Sequence, residues 1–235
     1  MSDTPIVKRC MAEAVGTAML LSTVVGSGIM GERLSGGSVG LALLANSIAT
    51  GAGLSVLVLV FGPVSGAHLN PIVTLAGALT GRMRWREVPG YIGSQLLGAF
   101  AGVAAAHAMF GAALWSLSDR SRPGFPLVLS EAIAAFGLLI TILSSMRHRP
   151  NAVAFAVGTY ILAAYWFTGS TSFANPAVTI ARAFTDTFTG IRLADVPGFI
   201  VGQVAGGAGA LLMFRWIEGE PGQLQSRAQP EKRGG

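Results

Sequence analysis

The sequence is poor in charge. Only 11% of its 235 residues are Asp, Glu, Lys or Arg, where a soluble domain carries about a quarter. Together with a hydrophobic content of 51%, this argues against a soluble globular chain. Cysteine is nearly absent. Cys10 stands alone, which excludes a disulfide framework and any thiolate metal centre. The histidines His68, His107 and His148 share no zinc-ligand spacing. No nucleophile elbow, phosphate-binding loop or Cys/His catalytic set occurs, so neither enzymatic chemistry nor a cofactor is expected. A formal net charge of +5 would fit a nucleic-acid partner if it formed one patch. The basic residues instead sit in short segments between apolar runs, so no nucleic acid is expected. The first apolar run is long and has no small-residue cleavage site, which reads as a retained span.

Glycine and long apolar runs are plentiful; there are 32 glycines, as is common where membrane helices pack closely. Six runs, about 10–30, 39–60, 88–110, 127–146, 152–168 and 195–217, approach the roughly 20 residues that a membrane-spanning helix needs. Polar segments such as "GERLSGG", "GRMRWRE", "SLSDRSRPG" and "MRHRPN" separate them. Two shorter apolar pieces remain, about 71–79 and 176–184. Each is long enough for only about half of a ~30 Å hydrocarbon core. The segment 218–235, "EGEPGQLQSRAQPEKRGG", is polar and rich in Pro and Gly and reads as a disordered tail. With the amino terminus inside, eleven of the sixteen basic residues fall in cytoplasmic segments, which favours both termini cytoplasmic.

The chain repeats itself. "EAVGT" at Glu13 recurs loosely as "EAIAA" at Glu131, "NPIVTLAGA" at Asn70 as "NPAVTIARA" at Asn175, and "VPGYIGSQLLG" at Val88 as "VPGFIVGQVAG" at Val196. The order is kept in both halves, about 8–110 and 127–217. Each half holds three spans, so the second enters the membrane upside down relative to the first, the logic of an inverted repeat. The expected architecture is an all-α integral membrane domain of six spans and two re-entrant half-helices. "GAFAG" (98–102) and "GQVAG" (202–206) add a GxxxG pattern at matched positions.

Asn is a favoured N-cap and Pro suits the first helical position. Asn70-Pro71 and Asn175-Pro176 therefore read as helix starts, entering from opposite faces and meeting near mid-membrane. Two positive dipole ends aimed at one point disfavour cations, protons included. Helix ends inside lipid must line a polar path. The residues thus point to a pore for neutral polar solutes.

"SGAHLNP" (65–71) and "NPA" (175–177) resemble the aquaporin and aquaglyceroporin family, and the resemblance extends over about residues 8–217. It implies a bundle of six tilted helices with two half-helices, assembled as a homotetramer with one pore per subunit in a lipid bilayer. The first motif departs from the family pattern at Ile72, where Ala is usual. The resemblance further implies a four-position filter, carried over as Thr50 (twenty residues before Asn70), Ala163 (twelve before Asn175), Ser172 (three before it) and Val178 (directly after the second Asn-Pro-Ala). Most members carry Arg at the last position. Four small side chains predict a wide filter without the donors of an Arg, which argues against strict water selectivity. Such a filter is similar to that of bacterial aquaglyceroporins associated with arsenic resistance. That implies a bacterial inner (plasma) membrane and glycerol-like polyols or neutral metalloid hydroxides such as arsenous acid, with water, as solutes.

Other residues carry open alternatives. Arg182, one turn beyond Val178, is either a cation at the outer mouth or a solvated helix-end residue paired with Asp186. Glu13 and Glu131 are either proton-relay groups or acceptors that fix the re-entrant loops. His68 is expected to line the inner half of the pore. His107 reads as a span-end residue and His148 as an inner-loop residue. The reading that covers most of these features is a passive channel for small uncharged solutes; a water-selective pore and an ion- or proton-coupled exporter are the alternatives.

Overall fold

The computed structural model describes residues 4–218. Among them are eight α-helices and no strand: α1 (Ile6–Leu34), α2 (Val39–Ser65), α3 (Pro71–Leu79), α4 (Val88–Met109), α5 (Phe125–His148), α6 (Val153–Phe167), α7 (Pro176–Arg182) and α8 (Val196–Glu218). Six segments are long and apolar enough to cross a membrane, while α3 and α7 are the short pair. At 29 residues α1 is about 44 Å long and outgrows a ~30 Å core. It runs several residues past the expected ends because polar groups at its margins stay helical: Arg9 pairs with Glu87 at 2.7 Å. The expected tail begins one residue late. Glu218 closes α8 and pairs with Arg147 at 2.8 Å and His148 at 2.7 Å; the rest of that expectation, 219–235, lies outside the described residues.

Local chemistry sets the helix starts. Ser38 caps α2 by accepting from the Leu41 amide at 3.3 Å. Gly66 ends α2 at φ 90°, a backbone region open to glycine at no steric cost. Proline stands in the first turn of α3, α4, α5, α7 and α8, where its missing N–H is harmless.

The bundle has the symmetry that the repeat demands. α1 packs on α4 and α2, while α5 packs on α8 and α6; α2 meets α6 across the middle. The half-helices reach into the other half, α7 lying against α4 and α3 against α8. Outward faces remain apolar: Leu97, Val201 and Leu212 are 65–74% exposed, as expected of helices facing lipid. The matched glycines let the tightest pairs approach. A Cβ on Gly98 or Gly102 would lie 2.2 or 2.3 Å from the carbonyl oxygens of Ala14 and Ala18; on Gly202 or Gly206 it would lie 2.3 or 2.0 Å from those of Val128 and Ala132.

This gives a prediction with an internal control. Gly206→Ala must push α8 off α5 backbone and is expected to cost about 1–3 kcal/mol. Gly209→Ala, whose Cβ would meet only the Phe136 ring at 3.5 Å, is expected to be neutral or stabilising by up to ~1 kcal/mol through helix propensity. Thermal unfolding in detergent compares the two.

Candidate pore and filter

The two Asn-Pro pairs meet. The Asn70 side-chain oxygen accepts from the Ile72 amide at 2.9 Å, and that of Asn175 accepts from Ala177 at 3.0 Å and Val178 at 3.3 Å. Each side-chain amide also donates across the junction. Asn70 Nδ2 reaches the Ala174 carbonyl and Asn175 Nδ2 the Leu69 carbonyl, both at 2.8 Å. An amide carries two N–H donors, so each asparagine keeps one for the cavity it lines. The accepting carbonyls belong to residues in the left-handed region, Leu69 at φ 49° and Ala174 at φ 47°. That conformation costs an L-residue about 1–2 kcal/mol.

Buried carboxylates hold those strained loops. Glu13 Oε1 accepts from Ser65 Oγ at 2.6 Å and the His68 amide at 2.9 Å; its Oε2 accepts from the Leu69 amide at 2.7 Å and Gln95 Nε2 at 2.8 Å. Glu131 accepts from the amides of Phe173 at 2.9 Å and Ala174 at 2.8 Å, and from Gln203 Nε2 at 2.5 Å. The glutamines complete the scaffold. Gln95 also donates to Thr74 Oγ1 at 2.9 Å and Gln203 to Thr179 Oγ1 at 2.8 Å, and those hydroxyls donate to the carbonyls of Asn70 and Asn175. Each half therefore ties Glu, Gln, Thr and Asn into one chain. Glu13 and Glu131 are fully buried, with both oxygens of each accepting hydrogen bonds. Gln95, Gln203, Thr74 and Thr179 were absent from the sequence-based site, although each sits at a matched position of the repeated motifs.

A continuous cavity of about 680 Å³ runs past this junction. At the end where α1 begins it is lined by Arg9, Arg82 and Asn151; at the other by Thr50, Tyr165, Ser172, Phe173, Val178 and Arg182. His68 lines it too, half-buried, with Nδ1 3.2 Å from Thr74 Oγ1 and its ring 5.3 Å from that of Tyr91.

Two expectations need correction. Ala163 is exposed on the outer face of α6 and does not line the cavity. α6 lines the cavity with Val153, Ala154, Val157, Ile161 and Tyr165; the last two are one helical turn apart, and Ala163, two residues from either, points the opposite way. Tyr165 donates its hydroxyl to Thr50 Oγ1 at 3.3 Å. The cavity wall beside Thr50 therefore carries an aromatic ring, where the expected filter had only small side chains. Arg182 is neither solvated nor paired with Asp186. It is 2% exposed, its Nε donates to the Thr189 carbonyl, and its guanidinium lies 3.4 Å from the centre of the Phe173 ring. His107 stands in the last turn of α4, the span end expected of it, and is buried there: its ring nitrogens lie 3.0 Å from the Leu114 carbonyl and 2.7 Å from Thr185 Oγ1, fastening the end of α4 to the segment after α7.

A second cation supports the same corner. Arg122 lies 5.1 Å from the Phe173 ring centre and donates to the carbonyls of Gly190 at 2.9 Å and Ser170 at 3.3 Å. Burial, with Arg120 nearby, holds its pKa below the ordinary guanidinium value; an arginine there still stays charged at neutral pH.

The sequence profile of the family described as "Major intrinsic protein" matches residues 1–153. Aquaglyceroporin AqpS of Rhizobium meliloti (strain 1021) is 51% identical over 217 residues, 92% of this chain and 93% of that protein. Probable aquaporin NIP7-1 of Arabidopsis thaliana is 35% identical over 88% of this chain and 75% of its own length. The crystal structure of the aquaglyceroporin from Plasmodium falciparum superposes with a TM-score of 0.72 over 95% of this chain and 100% of that one; at 23% identity this speaks for the fold. With two capped half-helices meeting on one cavity, six membrane-capable helices and these relatives, the chain belongs to the major intrinsic protein family of multi-pass membrane channels.

Proposed function

We propose that the protein conducts small uncharged solutes passively across a bacterial inner membrane, with both termini cytoplasmic and a pore in each subunit of a homotetramer. The observation that carries this reading is the pair of capped helix starts, Asn70 and Asn175, on one continuous cavity. The free amide hydrogens are donors for a passing oxygen, and the two helix dipoles repel cations. Solutes with several hydroxyls suit this lining. The name aquaglyceroporin borne by the Rhizobium relative fits glycerol-like polyols. Arsenous acid presents three hydroxyls in much the same way and is the leading specific candidate, alongside water. Thr50, Ser172 and Val178 form part of the filter, with Tyr165 replacing Ala163, and His68 lines the half of the pore nearer the amino terminus.

Stopped-flow light scattering on proteoliposomes tests the proposal. Glycerol flux is expected to rise linearly with its gradient, without saturation at millimolar solute and without any ion gradient. Flux that saturates there, or that needs a proton or sodium gradient, overturns it in favour of a coupled exporter. The engagement of both oxygens of Glu13 and Glu131 in backbone anchoring counts against that alternative.

A further inference from the structure

Val178 leaves the position after the second Asn-Pro-Ala without charge or donors, yet the cavity wall keeps a cation. Val178 and Arg182 lie four residues apart on α7 and share a face. Helical side chains lean toward the helix amino terminus, so the head of Arg182 is carried back toward the loop that precedes Asn175. The stack on Phe173, two residues before Asn175, shows where it arrives.

The manner of burial matters more than the position. Arg182 has no ion-pair partner among the described residues. An aromatic face and one backbone carbonyl hold it, and neither neutralises its charge. Among the described residues only Nε finds a hydrogen-bond partner, Nη1 and Nη2 having none, and the residue lines the cavity. Ser172, on the same wall, has a buried hydroxyl with no hydrogen-bond partner among the described residues. Arg122, near the same ring, adds to the positive field. Unspent donors and an unpaired hydroxyl thus line a cavity whose remaining wall here is Val178, Tyr165 and Thr50.

We propose that Arg182, seated on Phe173, is the specificity-determining cation of this channel. It takes the place of the missing filter arginine from one turn further along α7. Its free amino groups favour solutes carrying neighbouring oxygen acceptors, such as vicinal hydroxyls, and its charge repels cations and protons. This rests on the channel reading above.

The test compares wild type with Arg182→Met, Arg182→Lys and Phe173→Leu in proteoliposomes, measuring water, glycerol and urea permeability together with proton leak from an entrapped pH dye. Arg182→Met is expected to raise proton leak roughly fivefold and to lower the glycerol-to-urea permeability ratio about threefold, with water flux retained. Arg182→Lys keeps the charge and loses the fork, so leak stays low while the ratio falls. Phe173→Leu unseats the guanidinium and lowers the ratio less than Arg182→Met. An Arg182→Met protein with normal water flux and unchanged leak and ratio overturns the proposal. Should Arg182→Met fail to reconstitute, an unchanged ratio in both other variants overturns it equally. If wild type itself passes no solute down a gradient, the channel reading fails, a result distinct from either.

Discussion

Glu131→Leu is expected to abolish solute flux and to remove most of the folded protein. Three buried donors, the amides of Phe173 and Ala174 and the side chain of Gln203, end on this carboxylate. Each donor left unsatisfied costs about 1–3 kcal/mol, so the sum approaches the roughly 5–15 kcal/mol by which whole domains are stable. The loss also falls on the loop least able to bear it, since Thr171, Ser172 and Ala174 hold positive φ without being glycine and Glu131 grips one of them directly. Glu131→Gln keeps one acceptor oxygen but turns an NH₂ group toward backbone amides. It is expected to cost less than Leu, about 2–4 kcal/mol, and to lose flux in proportion to lost fold. Size-exclusion chromatography and thermal unfolding in detergent, read beside flux per folded channel, separate the roles. A Glu131→Gln protein as stable as wild type that nevertheless transports nothing would mean the carboxylate carries protons, and the anchoring role would be wrong.

How much of this was readable beforehand depends on which residues carry local signals. Asn70-Pro71 and Asn175-Pro176 announce helix starts by their own chemistry, and α3 spans the expected 71–79. The close-contact faces of α4 and α8 were legible too, because GxxxG at 98–102 and 202–206 marks where backbones must touch, though not which helix they touch. The scaffold glutamines were visible in principle: Gln95 and Gln203 hold matched places in the two Val-Pro-Gly helices, and only their partners were missing. The phase of α6 was not legible. Its sequence is apolar nearly all round, so no stripe marks the lumen side. Counting back from Asn175 through the bends at 168–174 gives no control over helix rotation, and the count fell on Ala163 instead of Tyr165. Arg182 misled for the opposite reason. Arginine at a helix end is ordinarily solvated, and it takes the ring of Phe173 and the carbonyl of Thr189, brought together by the fold, to reverse that expectation.

The same corner gives the second large effect. Val178→Arg is expected to lower glycerol permeability at least about tenfold while reducing water flux much less. Val178 is 5% exposed and lines the cavity, so a longer side chain at this position grows into the lumen. There it meets Arg182 one turn away. Two guanidinium charges about 6 Å apart repel by roughly 3 kcal/mol at an effective dielectric of 20. The new group therefore cannot share the Phe173 seat and stays in the path, where its bulk excludes a three-carbon solute before it excludes water. The effect should depend on the resident cation. In the Arg182→Met background the repulsion is gone and the Phe173 ring is free, so Val178→Arg can settle on it and the fall in glycerol flux should shrink. Stopped-flow permeabilities for the four proteins of this cycle measure the coupling. Equal losses of glycerol and water, or equal effects in both backgrounds, would show that positions 178 and 182 do not face one constriction.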